Sequence, residues 1–183
     1  LGLTAGNALE VRESVEVLAG GGPKDVVELT VRLAEEMLEA AGRGGQDVRA
    51  ALNDGRAMDA WRRMIAAQGG DPDAPLPVAK ETHVVTAPTS GTLTSLDAYA
   101  VGIAAWRLGA GRARKEDPVQ AGAGVELHAQ LGDHVEAGDP LLTLHTDTPE
   151  RFDRALEALK GGYAVGSPDE AAHLPLIIDR IAK

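Results

Sequence analysis

The sequence predicts two parts of different class: a helical segment over residues 1–80 and a small α+β module over residues 81–163, followed by a tail over residues 164–183. Three observations carry this reading. Apolar residues recur at helical spacing from Asn7 to about Gln68. Beyond residue 80 the period changes to two, or to short apolar bursts between turn residues. Between the two regimes, Asp71-Pro72-Asp73 and Pro75-Leu76-Pro77 have the composition of a linker.

The elements follow in order. Leu1 to Gly6 reads as a loop entering a helix from something built upstream, so the sequence is expected to start inside a longer protein. Ala8, Val11, Val15 and Leu18 then fall at helical spacing, and Gly20-Gly21-Gly22 ends that helix. Pro23 suits the first turn of the next helix, with Asp25 near its positive end. Val26, Val27, Leu29, Val31, Leu33, Ala34, Met37, Leu38 and Ala41 give that helix a wide apolar surface, so burial on more than one side is expected. A short helix over about Asp47–Asn53 stops at Gly55, and the next brings Met58, Trp61, Ile65 and Gln68 onto one face before Gly69-Gly70.

In the second part, strands are expected at His83–Ala87, Gly91–Thr94, Gly124–His128 and Pro140–Leu144, each bounded by turn residues. A helix capped by Asp97 interrupts them, with Tyr99, Ile103 and Trp106 on one face and Gly109 beyond its end. A last helix over about Pro149–Leu159 carries Phe152, Ala155, Leu156 and Leu159.

Composition narrows the function classes. Apolar residues make up 44% of the 183 and aromatics only 3%, so the core must be aliphatic, with Trp61, Trp106, Tyr99 and Phe152 as its few large fillers. Eighteen basic and 28 acidic residues give a net charge of −10, dispersed along the chain, which speaks against a nucleic-acid groove. The absence of cysteine rules out a disulfide framework, a thiolate nucleophile and a thiolate metal site. No apolar run approaches the roughly 20 residues of a membrane span and nothing resembles a signal peptide, so a cytoplasmic location is expected.

The opening run Leu1-Gly2-Leu3-Thr4-Ala5-Gly6-Asn7-Ala8-Leu9-Glu10-Val11-Arg12-Glu13 resembles the L-G-x-x-x-G-N-A-L-E-V-x-E segment of the thymidine and pyrimidine-nucleoside phosphorylases, in actinobacterial-like form. The match continues through Gly22-Pro23, Ala67-Gln68-Gly69-Gly70 and Leu108-Gly109-Ala110-Gly111-Arg112. The resemblance implies that residues 1–80 are the late helical part of a phosphorylase α/β domain and residues 81–163 its C-terminal α+β module, barrel-sandwich or hammerhead-like. It implies reversible phosphorolysis of thymidine, deoxyuridine or uridine to free base and pentose 1-phosphate, with this chain supplying structural and cleft-closing elements. Phosphate attacks an anomeric centre that passes through an oxocarbenium-like state, so catalysis rests on placing the anion and stabilising the departing base. Family members use a lysine- and serine-rich phosphate loop and a base-gripping arginine, serine and lysine. These are expected upstream of Leu1, together with the homodimer contact, so no catalytic or organic-cofactor residue is assigned to this chain.

One family feature reaches into it. In several bacterial members a monovalent cation, expected to be K+, links the segments; the matching positions are Leu1, Thr4 and Glu13, and the remaining ligands are expected upstream, so the site is incomplete in this chain. Hard cations take oxygen ligands, which loop carbonyls and one carboxylate supply. Thr4 departs from the alanine common there, a change that a carbonyl ligand tolerates.

Two rival classes stand beside this reading. Val85–Leu93 and Leu131–Leu141, both punctuated by glycine, resemble the halves of biotinyl and lipoyl carrier domains. A carrier, however, needs a lysine at a hairpin tip, and Lys115 sits in a charged loop instead. The other rival is a non-catalytic binding module that kept the fold. Leu108–Lys115 invites comparison with phosphate cradles, but its glycines follow a helix, so a structural turn is expected, its cations paired to neighbouring elements or neutralised by Glu116 and Asp117. His83, His128, His134, His145 and His173 show no helical metal spacing, and Asp133 and Asp139 belong to Gly-Asp turn chemistry.

Overall fold

The computed structural model describes residues 1–171 and 175–181. The chain forms two compact units, one comprising Leu1–Gly2, Val11–Pro75 and Pro175–Lys183, the other Leu3–Glu10 and Leu76–Leu174. In order, the elements are β1 (Thr4–Gly6), α1 (Asn7–Leu18), α2 (Lys24–Ala40), α3 (Val48–Asn53), α4 (Arg56–Ala67), β2 (Glu81–Thr86), β3 (Gly91–Leu96), α5 (Ala98–Ala105), β4 (Gly124–Leu127), β5 (His134–Val135), β6 (Pro140–Thr146), α6 (Phe152–Leu159) and β7 (Tyr163–Gly166). No described helix is long and apolar enough to cross a membrane.

The first unit is helical. Asp47 caps α3 by accepting the Ala50 N–H at 2.9 Å, the role its short acidic side chain favours at a helix start. The expectation that α2 is buried on more than one side is corrected. Val31 is its one buried residue, whereas Leu33 and Met37 are 54% and 67% exposed. Within the unit, α2 meets α3 and, across Leu29 and Leu33, residues 176–181, which leaves part of its apolar surface in solvent. Arg180 pairs with Glu36 and Glu39 at 2.8 and 2.9 Å, and these carboxylates raise the guanidinium pKa further above its ordinary value.

The second unit is α+β, with two antiparallel sheets. One has strand order β1-β4-β6-β2, the other β5-β3-β7. Period-two alternation explains the larger sheet. Val125 pairs with Leu144, and Leu127 with Leu142, which also opposes Val85, so these side chains share the core face. Glu126, Thr143 and Val84 line up on the other face. The core joins both sheets to α5 and α6 through Leu93, Leu108, Leu141, Leu142, Leu144 and Val125, all fully buried.

Two equivalent turns tie down Leu93 in β3 and Ala87 just after β2. At Gln130–Asp133 the Asp133 carboxylate accepts the Gln130 N–H, and at Glu136–Asp139 the Asp139 carboxylate accepts the Glu136 N–H, both at 2.8 Å. Gly132 and Gly138 each take φ of 93°, open to glycine at little cost. Gly132 N–H and Asp133 C=O bond both main-chain groups of Leu93, and Gly138 and Asp139 bond those of Ala87 in the same way. Asp133 and Asp139 therefore do turn chemistry.

Three strands escape the sequence reading. β1 lies in the run expected as a loop, β5 is two residues long, and β7 falls at the start of the expected tail, paired with β3 from Thr92↔Gly166 to Leu96↔Tyr163. The face of α5 is also corrected. Tyr99 is 77% exposed and Trp106 38%, while Val101, Ala104, Ala105 and Leu108 are buried. Both sets have helical spacing, but the alanine-rich one lets the helix lie close on the core. Asp97 caps α5 as expected, accepting the Tyr99 N–H at 2.8 Å. A widened turn over Trp106–Ala110 then carries Gly109 at φ 114°.

Candidate functional site

The three positions matched to the cation donors divide between the units, Leu1 and Glu13 in the helical one and Thr4 in the α+β one. The Gly2 N–H donates to Asp25 Oδ2 at 2.8 Å, so the trans peptide turns the Leu1 carbonyl away from Asp25. The Glu13 carboxylate lies against the α-carbon of Gly2, where any side chain would displace it. In the α+β unit the Leu127 N–H donates to the Leu3 carbonyl at 2.7 Å, which makes Leu3/Leu127 and Ala5/Val125 the bonded pairs of the β1–β4 ladder. Thr4, opposite Glu126, is thus at a non-bonded position on an outermost strand, and its carbonyl is directed away from β4 toward the open edge. It can serve a ligand without breaking a ladder bond. The Thr4 side-chain oxygen is buried and without a hydrogen-bond partner among the described residues. A main-chain carbonyl and a carboxylate are each the kind of oxygen donor that suits a hard cation such as K+.

The histidines are dispersed. His83 packs its ring on Phe152, with centroids 5.5 Å apart. His128 Nε2 meets Thr143 Oγ1 at 2.6 Å, and His145 Nε2 lies 3.5 Å from Glu126 Oε2. His134 Nε2 lies 3.3 Å from Glu136 Oε1, which also accepts through Oε2 from the Ser90 hydroxyl at 2.6 Å. That hydroxyl first, and His134 second, hold the Glu136 carboxyl below its ordinary range. His173 lies outside the described residues. Among the described residues no group of three or more His, Asp or Glu side chains is placed to hold a metal ion.

The charged loop after α5 behaves differently from expectation. Asp117 accepts the Arg114 main-chain N–H at 2.9 Å and forms no ion pair with an arginine among the described residues. Arg112 Nη1 donates to the Lys115 carbonyl at 3.2 Å, Arg151 Nη1 to the Arg107 carbonyl at 3.4 Å, and Arg107 Nη1 to the Arg154 carbonyl at 2.7 Å. These four arginines line one open cleft of about 380 Å³ beside Trp106. Asp117 is turned to a backbone N–H rather than to an arginine, and the guanidinium groups of Arg107, Arg112 and Arg151 bond to neutral carbonyls. Arg151 and Arg154 carried no signal in the sequence, since only the packing of α6 beside the widened turn brings them to Arg107.

Residues 92–166 match the family of pyrimidine nucleoside phosphorylase C-terminal domains. They are such a domain. In this chain the C-terminal domain runs from Thr92 in β3 to Gly166 in β7, while β1 and β2, which complete the larger sheet, lie outside the matched residues. The chain is 57% identical over 182 residues to the thymidine phosphorylase of Mycobacterium tuberculosis, an alignment covering 99% of this chain and 42% of that protein. It is 36% identical over 192 residues to the pyrimidine-nucleoside phosphorylase of Staphylococcus epidermidis, covering 99% of this chain and 43% of the relative. To the Staphylococcus aureus protein of the same name it is 39% identical over 158 residues, covering 80% and 36%. The chain thus spans less than half the length of these relatives.

Proposed function

We propose that this chain works as part of a pyrimidine-nucleoside phosphorylase, a pentosyltransferase that reversibly converts thymidine, deoxyuridine or uridine and phosphate to the free base and (deoxy)ribose 1-phosphate. The observation that carries the proposal is the 57% identity to a thymidine phosphorylase over 99% of the chain, with the phosphorylase C-terminal domain inside it. In this reading residues 1–80 contribute the late helices of the catalytic α/β domain, and the α+β unit is the barrel-sandwich, hammerhead-like module. The paired Gly-Asp turns, hooked to Leu93 and Ala87, support that assignment of the module. The module forms one wall of the cleft and closes it over phosphate and nucleoside, excluding water from the sugar centre. The working enzyme is a cytoplasmic homodimer.

A K+ ion belongs to the same proposal, with the carbonyls of Leu1 and Thr4 and the carboxylate of Glu13 as this chain's donors. Bound there, the ion supplies electrostatic cross-linking of main-chain segments. The freed edge carbonyl of Thr4 and the carboxylate seated on Gly2 support it. Exchanging Na+ for K+ is expected to raise the thermal midpoint of the wild-type protein. Glu13→Gln is expected to abolish the difference, and an unchanged difference would remove Glu13 from the site.

The deciding experiment for the activity is a phosphorolysis assay with thymidine, uridine and phosphate on this chain and on the longest open reading frame that contains it. Turnover by the longer product, lost when residues 81–183 are deleted, is the expected result. Silence from both would refute the proposal, and normal turnover after the deletion would refute the cleft-closing role.

A further inference from the structure

We propose that the cleft lined by Arg107, Arg112, Arg151 and Arg154 beside Trp106 is a binding site for a phosphoryl-bearing anion. The proposal stands on the cleft alone and does not require the chain to take part in phosphorolysis.

The argument starts from charge. The chain carries a net −10, yet four arginines line one cleft. Two carboxylates also line it, Asp117 and Glu150, and Asp117 is engaged by the Arg114 N–H. Among the described residues no ion pair involves Arg112, Arg151 or Arg154, and Arg107 has only a 3.4 Å contact to Glu157, itself 67% exposed. Four arginines against two lining carboxylates leave an excess of positive charge in the cleft, and a bound anion offsets it.

Geometry adds direction. Arg112 and Arg151 are each held through Nη1 by a main-chain carbonyl. Such a bond fixes the guanidinium plane and leaves the Nε and Nη2 hydrogens along one edge, the fork that grips two oxygens of a phosphoryl group. Arg107 Nε is buried without a hydrogen-bond partner, so this residue serves as positive charge and as a brace, its Nη1 fixed on the Arg154 carbonyl. Part of the lining is preformed, because Gly111 lies so close on the Trp106 ring that a side chain there would meet Cδ1 at 2.6 Å. Trp106 keeps 38% of its surface in solvent, an aromatic face at the mouth of a cationic cleft. The volume of about 380 Å³ admits a phosphorylated sugar as well as free phosphate.

The test is isothermal titration calorimetry of the full 183-residue chain with inorganic phosphate, a pentose phosphate and uridine 5′-monophosphate at constant ionic strength, with sodium chloride as the control. Saturable binding of phosphoryl probes, absent for chloride, is expected. Arg151→Gln with Arg154→Gln should weaken it at least ~10-fold, the loss that accompanies removal of a charge-assisted hydrogen bond. The pair Arg62→Gln and Arg63→Gln on α4, outside the cleft, should leave it unchanged. Should the cleft double variant not fold, Arg154→Gln alone decides, since no side-chain hydrogen bond or ion pair of Arg154 occurs among the described residues. Trp106 emission in a Trp61→Phe background separates the sources. Equal affinity for all three probes means that the phosphoryl group alone is read, whereas tighter nucleotide binding with quenching means that the indole stacks on a base. No saturable binding of any probe, or unaltered binding by the cleft variants, would overturn the proposal.

Discussion

Replacing Thr146 by valine should destabilise the α+β unit by about 2 kcal/mol, although the side-chain volume hardly changes. Thr146 ends β6 on the core face and is fully buried. Its hydroxyl hydrogen is directed at the Leu108 carbonyl at 2.7 Å, with Gln120 Oε1 at 3.0 Å as second acceptor, and its oxygen accepts the Thr148 N–H at 3.2 Å. Valine deletes one donor and one acceptor. Each lost hydrogen bond costs about 1 kcal/mol, and a carbonyl left unpaired in the core raises the total toward 3 kcal/mol. Thr146→Ser keeps both bonds and loses one methyl group, so it should cost only about 1 kcal/mol. Urea unfolding followed by Trp106 emission in a Trp61→Phe background reads the unit directly. The Leu108 carbonyl belongs to the widened turn that launches the arginine loop, so amide exchange over residues 109–118 should quicken in the valine variant and not in the serine one. A loss below about 0.5 kcal/mol for valine, or equal losses for both, would refute the view that the hydroxyl is what holds this turn.

Gly124→Ala should fail to give a soluble α+β unit or cost more than about 3 kcal/mol, because the new methyl would collide with the Ala5 carbonyl of the neighbouring strand and reach Leu9; a normal urea midpoint would show that β1 yields. Asp97→Ala should cost about 1 kcal/mol by leaving the Tyr99 N–H uncapped, with Asp97→Asn recovering most of it in the same unfolding experiment. Ser90→Ala should raise the Glu136 pKa toward its ordinary value, as followed by carboxyl carbon chemical shifts. Because folding depresses that pKa, the Glu136 contribution to stability is present above the unfolded-state value and is lost as pH falls through the folded one, and the variant should lose this part of the acid sensitivity.

What was legible in the sequence was whatever depends on neighbours along the chain. Asp97 announces a helix start because a short acidic side chain reaches its own next N–H groups, and it caps as read, while Asp47, read only as the start of a helix, proves to be its cap. Gly132-Asp133 and Gly138-Asp139 declare turns for the same local reason. The alternation around Val125, Leu127, Leu142 and Leu144 marks strands with one face in a core. The run Leu1–Glu13 carried the family resemblance and with it the three oxygen donors proposed for K+.

Tertiary structure decided what depends on partners far apart in the chain. Thr4–Gly6 is a strand only because β4, more than a hundred residues later, offers it a ladder, and three residues have no pattern of their own. Of two helical stripes on α5, the aromatic one looks like core by hydrophobicity, but the alanine stripe is buried because close approach of helix and sheet gains more contact than a bulky ring allows. The arginine cleft is the clearest case. Arg107 and Arg112 follow one helix and Arg151 and Arg154 precede or begin another, so only the packing of α6 beside the widened turn makes four scattered charges a single cationic surface. Local stereochemistry is written in adjacent residues, whereas coincidence in space is written in the free energy of the whole core, which no short stretch of sequence contains.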